Sequence, residues 1–376
     1  MKFQCDKNKL LGALSIATRA LANKANTPIL TGIYLKAQEN RLEIQANNNE
    51  IGISTIIEAN VADQGEMVLP GKYLQDVSRI LPGGEVNFEL STIGGTVNIV
   101  SQNTKFTLKS FNTSEFPLVN RSEPEGDINF TLPSDVLTKL IRKTSFSCAQ
   151  GDVAESRPIF TGCYVNITDN NLVMVATNTH RLAYEKVALT NDTPATHMII
   201  PAKVLSELKD IIDANVPVNV QIKCDHKKIS FECEDTFIIS RLINGDFPEY
   251  QKVMPPSIES TAVINTKEFL SAVNRISLIS RSNNYNIVRL QFSQGQVHMS
   301  SNNPDVGNAD EIVPLQLTGP DIDISFNVNY VMDVLKVIEG ETCTLDMVAH
   351  LKPIVVKDDA DDGFLYVLTP VRTADD

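Results

Sequence analysis

The chain has 376 residues, of which 42% are hydrophobic, and a formal net charge of −13. One hydrophobic core rarely grows beyond roughly 250 to 300 residues, so this length predicts more than one domain. No stretch reaches the roughly 18 apolar residues of a membrane span, and the N-terminus MKFQCDKNKL has no long apolar run, which together predict a cytoplasmic protein. The six cysteines form no CxxC pair, so neither a zinc site nor a disulfide framework is indicated.

The predicted elements recur three times in the same order, in units of about 125 residues. Each unit has an amphipathic helix, a strand that leads into an Asn-rich turn, a second helix, and a hairpin with a terminal strand. Apolar residues at helical spacing predict six helices, over residues 6–21, 71–81, 134–146, 201–213, 266–276 and 329–339. Ser134 and Asn265 are predicted N-caps, and Asn265 with Glu268 resembles a capping box.

The Asn-rich turn is the most recognisable part of each unit. It occurs in LEIQANNNEIGIS (42–54), LVMVATNTHRLAYE (172–185) and VHMSSNNPDVGNAD (297–310). Only the middle copy inserts His180, Arg181, Leu182 and Tyr184 at this turn. We therefore expect that a functional site has been added to a shared scaffold at the middle turn.

Three domains are predicted from these repeats, at residues 1–123, 124–254 and 255–376, joined at 122–126 and 255–257. The joins are short, which predicts units packed rigidly in a row. Two helices and about eight short alternating strands in each unit favour an α+β fold, with helices gathered on one face of antiparallel sheet.

Basic residues are concentrated in the first helix of each unit, although the net charge of the chain is negative. The first helices of the three units carry eight basic residues against three acidic ones, although the whole chain is acidic. This asymmetry favours a positive potential on one recurring element, while solvated helix faces rich in Lys and Arg explain it equally well. The basic residues are Lys7, Lys9, Arg19, Lys139, Arg142, Lys143, Lys267 and Arg275.

Several motifs in the same order resemble the bacterial DNA polymerase III beta subunit family, the sliding clamps. They are the triplicated unit, TNTHRLAY (177–184), GDFPEYQKVMP (245–255), FNVNYVMDVL (326–335) and YVLTPVR (366–372). The resemblance covers essentially the whole chain. It implies a head-to-tail homodimer of three-domain subunits, closed into a ring around duplex DNA, with helices inside and sheets outside. It implies DNA replication as the process, and neither catalysis, nor a cofactor, nor a metal.

The resemblance also implies site residues. By family position, Lys24 and Gln150 join the eight helix residues as DNA-facing groups, and Phe106 and Leu108 meet Leu278 and Ile279 across the dimer interface. A pocket for short peptides would receive the polymerase catalytic subunit, the clamp loader, repair polymerases and mismatch-repair proteins. Its residues are Phe160, Thr177, Thr179, His180, Arg181, Leu182, Pro248, Val253, Val367, Leu368, Pro370, Val371 and Arg372.

The chain departs from the family pattern at several of these positions. Lys24 stands where the family often has Arg, so a bidentate phosphate contact is not expected there. Asn178 and Thr179 replace Asp and then Gly or Ser, Thr369 replaces Met, and residues 373–376 add a short acidic tail. A different peptide preference is therefore expected.

Two other classes of protein are alternatives. An enzyme would need a reactive constellation, and the best one available is His180 with Cys148 or Cys163 as a nucleophile pair, without any GxSxG, P-loop, GxGxxG or HExxH motif. A purely structural repeat array, such as a surface adhesin, is the second alternative, and the missing secretion signal argues against it.

Overall fold

A computed structural model describes residues 1–22, 27–91, 94–126, 128–190, 193–212, 217–280 and 286–373. These residues contain seven α-helices. The helices are α1 (Lys7–Ala17), α2 (Gly71–Ile80), α3 (Ser134–Thr144), α4 (Asp152–Ser156), α5 (Ala202–Ile211), α6 (Thr266–Ser280) and α7 (Val328–Leu335). The six predicted helices are therefore confirmed, and the five-residue α4 was not predicted.

The described residues also form 25 strands, which pair antiparallel throughout. Strands β1 to β9 are Lys2–Asp6, Gly32–Gln38, Arg41–Asn47, Ile51–Glu58, Asn60–Asp63, Gly65–Pro70, Glu85–Leu90, Thr96–Ser101 and Thr104–Lys109. Strands β10 to β17 are Ile128–Pro133, Gly162–Thr168, Asn171–Thr177, Arg181–Ala188, Thr196–Pro201, Asn219–Cys224, Lys228–Cys233 and Thr236–Arg241. Strands β18 to β25 are Ser260–Asn265, Ile287–Ser293, Gln296–Asn303, Gly307–Thr318, Ile322–Asn327, Thr342–Met347, Ile354–Asp358 and Asp361–Leu368.

Local chemistry explains where the first helices begin. The Asp6 carboxylate accepts hydrogen bonds from the backbone N–H groups of Asn8 and Lys9, which have no partner inside α1. The Asn265 side chain accepts from the N–H of Glu268 in the same way. Ser134 differs from its prediction as an N-cap, because it is the first residue of α3 and its hydroxyl accepts from the N–H of Val218.

The chain forms two compact units, one of residues 1–137 and 204–242 and the other of residues 138–203 and 243–376. The first unit contains a five-stranded sheet, β5-β1-β7-β8-β9, and an eight-stranded sheet, β10-β15-β16-β17-β4-β3-β2-β6. Helix α1 packs on β3 and β4 of the larger sheet. In this unit β17 pairs with β4, with Ile238 opposite Ile53, so one sheet joins strands of the first and middle repeats.

The second unit contains a twelve-stranded sheet in the order β14-β11-β12-β13-β25-β24-β23-β18-β21-β20-β19-β22. Its core lies between this sheet and helices α6 and α7, with Phe269, Phe292, Phe326 and Phe364 among the buried side chains. Strand β25 pairs with β13, with Val367 opposite Leu182. This pairing joins the third repeat to the middle repeat in the same way as β17 and β4 join the middle repeat to the first. The predicted domain boundaries stay predictions, because the two units divide the middle repeat.

All six cysteines are free thiols, and five of them are buried. Cys224 faces Ile229 across the hairpin of β15 and β16. The part of the chain that is described contains no group of His, Cys, Asp and Glu arranged to hold a metal ion. Among its helices, none is long and apolar enough to cross a membrane.

Candidate functional site

The Asn-rich turns share one hydrogen-bonding device. The side-chain oxygen of Asn48 accepts from the N–H groups of Glu50 and Ile51, and that of Asn178 accepts from His180 and Arg181 at 3.1 Å each. In the third copy the Asn303 oxygen accepts from the N–H of the residue two positions later, at 3.0 Å. An Asn side chain that satisfies backbone N–H groups in this way replaces part of the turn's own hydrogen bonding. The repeated asparagine is therefore structural, and the functional difference lies beside it.

Arg181 secures the middle turn to its own unit. Its guanidinium donates to the Asp333 carboxylate at 2.7 Å and to the Phe146 carbonyl at 2.6 Å, and it lies 4.4 Å from the ring centroid of Tyr330. Asn178 also donates to the Tyr330 hydroxyl, at 3.2 Å. The Arg181 side chain is only 8% exposed, so these contacts hold the turn against α7.

The end of β25 lies alongside this turn. Val367 is opposite Leu182 in the register, and the Thr369 N–H donates to the His180 carbonyl at 3.0 Å. Two segments that are far apart in sequence, the turn and the chain's terminal strand, therefore form one surface. The peptide pocket predicted from the sequence draws residues from both segments, so it requires this arrangement.

A cavity of about 490 Å³ opens at that surface. Its floor belongs to a small apolar core that includes Val173, Val175 and Tyr250. The lining combines apolar walls with a few polar groups, which suits a short peptide with apolar anchors. It consists of Phe160, Thr177, Thr179, Arg181, Leu182, Pro248, Glu249, Tyr250, Lys252, Val253, Met254, Pro255, Pro256, Val348, Lys352, Pro353, Val367 and Thr369.

Eight of the thirteen pocket residues predicted from the sequence belong to this lining, and five do not. Leu368 follows Val367 on a strand, so it faces the opposite side and is 1% exposed in the main core. Val371 donates its N–H to the Ser325 carbonyl and is half-buried. His180 is exposed and contributes its carbonyl to Thr369, while Pro370 and Arg372 lie beyond the lining.

The lining also contains residues that the sequence analysis did not single out. Tyr250 and Met254 belong to the recognised GDFPEYQKVMP segment, so their apolar character was an available signal. Val348, Lys352 and Pro353 come from the loop between β23 and β24, where no motif marked them.

The corresponding groove in the first unit is smaller and has no room for a side chain at the position of Leu182. Gly52 is opposite Asn47 as Leu182 is opposite Thr177, so the two residues are equivalent in the repeat. A Cβ added to Gly52 would lie 2.9 Å from a methyl of Val119 and 3.2 Å from a methyl of Ile239. The remaining groove there measures about 190 Å³ and is lined largely by polar residues.

Most of the predicted DNA-facing cations are already paired. Arg19 bonds Glu207 and Asp210, Lys9 bonds Glu58, and the other partners are the Leu81 carbonyl for Lys7, Glu339 for Arg142 and Glu311 for Arg275. Lys267 and Gln150 are exposed, and Lys24 lies outside the described residues. Lys143 is 0% exposed, so the prediction that it faces DNA is wrong.

Lys143 belongs to a buried ionic cluster of the second unit. Its ammonium lies 2.5 Å from Asp358 and 3.0 Å from Asp361, and Lys139 lies 2.8 Å from Asp361 and 3.0 Å from Glu185. Burial acts to raise the pKa of Asp361, but hydrogen bonds from both lysines hold it below its usual value. Burial raises the pKa of Glu185 to about 7, against the opposing effect of Lys139. The cluster thus contains three carboxyl groups, of Asp358, Asp361 and Glu185, and only two ammonium groups, so one carboxylate has no counter-charge.

The thiols considered as nucleophiles are poorly suited to that role. Cys148 and Cys163 are buried with their sulfur atoms 3.7 Å apart, whereas His180 is exposed on the turn. The neighbouring Cys163 thiol, together with burial, holds the pKa of Cys148 well above its ordinary value. Because the thiolate is the nucleophilic form, these residues favour a packing role.

Comparison with known families decides between the remaining classes. Family models of the DNA polymerase III beta subunit match residues 1–120 with the N-terminal domain, 131–249 with the central domain and 251–372 with the C-terminal domain. The chain belongs to the DNA polymerase III beta subunit family. Members of this family are beta sliding clamps, which are non-catalytic processivity factors of the polymerase. The family predicted from the sequence is therefore confirmed.

Relatives cover the beta-subunit chain from end to end. The beta sliding clamp of Bacillus subtilis (strain 168) is 30% identical over 386 residues, which span 99% of this chain and 100% of that protein. The crystal structure of the Bacillus subtilis sliding clamp matches with a TM-score of 0.94 at 28% identity, covering 99% of each chain. A sliding clamp from Pseudomonas aeruginosa, solved bound to griselimycin, matches with a TM-score of 0.92 at 26% identity, covering 99% of this chain and 100% of that one. The predicted α+β clamp fold with three repeated domains is therefore confirmed.

Proposed function

We propose that two copies of this chain close head to tail into a ring around duplex DNA and tether the replicative polymerase to it. Family membership over the full length of the chain is the observation that carries this proposal. DNA and a polymerase are the general partners of the family. The cytoplasm of a bacterium, where the chromosome is replicated, is the proposed place of action.

The internal junctions provide a template for ring closure. Within the chain, the terminal strand of a later repeat pairs with the strand that follows the Asn-rich turn of an earlier one: β17 with β4, and β25 with β13. Among described strands, β9 pairs only with β8, and residues 307–314 of β21 pair only with β20. A second copy that supplied β9 to this open side of β21 would repeat the junction and remove both edges.

The helices support the same closure. At the internal junctions Arg19, just after α1, bonds Glu207 of α5, and Arg142 of α3 bonds Glu339, just after α7. A third junction built in this way brings the end of α6 against α2 of the second copy. The residues there are apolar and exposed: Leu278 is 71% exposed on α6, and Tyr73 and Ile80 are 67% and 68% exposed on α2. An apolar surface of this kind is expected where another copy covers it.

The contact with DNA is proposed to be weak and independent of sequence. A sliding protein should touch phosphates, which repeat at every step, and avoid base edges. In this chain Arg19, Arg142 and Arg275 are already engaged by carboxylates, so a phosphate must compete with those partners. The acidic net charge of −13 opposes binding of DNA at other surfaces.

Retention on DNA should therefore be topological. Clamps loaded by a clamp-loader ATPase onto nicked circular DNA should remain bound through gel filtration, and linearising the circle should release nearly all of them. Direct binding to linear duplex without loading should be feeble and should fall steeply between about 50 and 200 mM salt. Equal retention on circular and linear DNA would contradict encirclement.

The cleft beside the middle turn is proposed to receive short peptides of the polymerase catalytic subunit, the clamp loader, repair polymerases and mismatch-repair proteins. The support is its apolar lining by Phe160, Leu182 and Val367, whereas the equivalent groove beside Gly52 is smaller and lined largely by polar residues. Because a peptide of about six residues buries little area, one or two well-filled apolar anchors must supply most of the affinity, and micromolar binding is expected.

The variant Val253→Glu should weaken binding of a fluorescent peptide ending in Gln-Leu-Asp-Leu-Phe by about 10- to 50-fold, because a carboxylate would be desolvated in the apolar lining. Val253 is 46% exposed, so the substitution should leave folding intact. Fluorescence anisotropy of the peptide measures the change.

Leu118→Glu is the matched control, because Leu118 is 58% exposed and lines the corresponding groove of the first unit. It should bind the peptide as the unmodified chain does. Leu182→Ala should weaken binding as Val253→Glu does. If neither cleft variant differs from the control, the peptide site lies elsewhere.

A further inference from the structure

Thr179 has an unusual backbone conformation at the edge of the cleft. Its φ is +78°, in the left-handed region, although it is a β-branched residue. The equivalent position of the first repeat, Asn49, has a φ of +71°. Asparagine tolerates this region, whereas a β-branched residue rarely adopts it because its Cβ substituents crowd the backbone. The middle repeat therefore carries strain at a position where the fold accommodates asparagine.

The turn itself does not require a threonine side chain. Its hydrogen bonds use the Asn178 side-chain oxygen and the backbone N–H of Thr179, which donates to the Thr177 hydroxyl at 3.2 Å. Any non-proline residue supplies that N–H. The Thr179 side chain is exposed and lines the cleft together with Thr177 and Thr369. Strained residues that persist without a structural need concentrate at functional sites.

We propose that Thr179 is a specificity-determining residue, which limits the size of the peptide anchor that the cleft accepts beside the turn. The proposal rests on the proposed role of the cleft in peptide binding. The Thr179 methyl and hydroxyl occupy space at one wall of a cavity of about 490 Å³, and Val367 and Thr369 of the terminal strand lie alongside that wall. Because Thr179 narrows the cleft at this wall, an anchor beside the turn is limited to the size of leucine or phenylalanine, and the extra volume of tryptophan would force neighbours apart.

Two substitutions at Thr179 distinguish the effect of side-chain size from the effect of backbone strain. Thr179→Asn relieves the strain and keeps a side chain of similar size, whereas Thr179→Gly relieves the strain and removes the side chain. Affinities are measured by anisotropy competition for three peptides: one ending in Leu-Phe, one in Leu-Trp and one in Trp-Phe. The unmodified chain and Thr179→Asn should disfavour at least one tryptophan peptide, and Thr179→Gly should reduce that discrimination by about 10-fold.

The outcomes distinguish this proposal from the peptide site itself. If Thr179→Gly keeps the full discrimination while Val253→Glu abolishes binding, the cleft is the peptide site and Thr179 does not set its selectivity. If Thr179→Asn loses discrimination as Thr179→Gly does, backbone strain and not side-chain size is responsible, and the size limit is wrong. If Val253→Glu binds normally, the proposed peptide site is rejected, and the size limit at Thr179, which rests on it, is rejected as well.

Discussion

The variant Leu278→Asp is expected to sediment and scatter light as a monomer of 41.4 kDa, whereas the unmodified chain at micromolar concentration should give twice that mass. The leucine is 71% exposed at the end of α6, so aspartate there should leave the isolated chain folded. In the proposed closed ring the carboxylate would be buried against α2 of the second copy without a partner. Burial of an unpaired charge opposes association by several kcal/mol, which shifts a micromolar dimer to monomer.

The opposite surface and a matched control complete this test. Ile80→Asp should give the same monomer from the α2 side, and Leu118→Asp, which lies outside the proposed junction, should stay dimeric. The double variant Leu278→Lys with Ile80→Asp should recover part of the dimer, because it places opposite charges at both junctions. A wild-type chain that remains monomeric across micromolar concentrations would reject the closed ring.

Removal of the Lys143 ammonium is expected to cause the largest loss of stability in the second unit. In Lys143→Met the Asp358 carboxylate, which is 2% exposed, loses its ammonium partner, and Asp361 keeps only Lys139. Breaking a buried ion pair by removal of one partner costs about 3–5 kcal/mol, because the remaining charge has no counter-ion. The backbone N–H groups of Glu339, Gly340 and Ala360 still bond Asp358, so the lower end of that range is expected. Urea unfolding at fixed protein concentration measures the loss.

Glu185→Gln is the control for the same cluster and carries a distinct pH dependence. The folded pKa of Glu185 is raised to about 7, so the folded chain binds a proton that the unfolded chain has released. Its contribution is fully present below the ordinary pKa of glutamate and is lost as the pH rises toward 7. Glu185→Gln lacks this titration, so its stability relative to the unmodified chain should increase from about pH 5 to pH 8. A Lys143→Met variant as stable as Glu185→Gln would show that the cluster is not critical.

The buried cluster shows what sequence patterns could not reveal about charge. Lys139, Arg142 and Lys143 form a basic stretch of α3, and such a stretch is equally consistent with a DNA-binding surface and with internal pairing. The carboxylate that binds Lys143 lies 215 positions later in the chain. Periodicity describes one helix at a time, so it cannot identify a partner on a distant strand.

The lining of the cleft was only partly predictable, because motifs in the sequence do not show which distant residues pack together. Leu182 and Val367, which their motifs singled out, line the cavity, but the neighbouring Leu368 faces the core because successive residues of a strand point to opposite faces. Val348 and Pro353 enter from a loop whose position depends on the packing of the whole sheet. The helices were easier to predict, since α1 and α6 carry several turns of apolar spacing, while α4 has only five residues and no readable period.

The two long sheets also have a consequence for the time at which the chain can fold during synthesis. Strand β4 cannot be paired on both sides until Ile238, the partner of Ile53, has been synthesised. Strand β13 likewise requires Val367, the partner of Leu182. At about 5–20 residues per second, each gap leaves a strand edge unprotected for roughly ten seconds or more. The nascent first repeat therefore leaves the ribosome with β4 as an open edge on which another chain can pair. Translation pauses placed between β4 and the end of β17 should increase aggregation through the β4 edge. Pauses placed between β17 and β25 should leave only the β13 edge open, and pauses after β25 should have no effect.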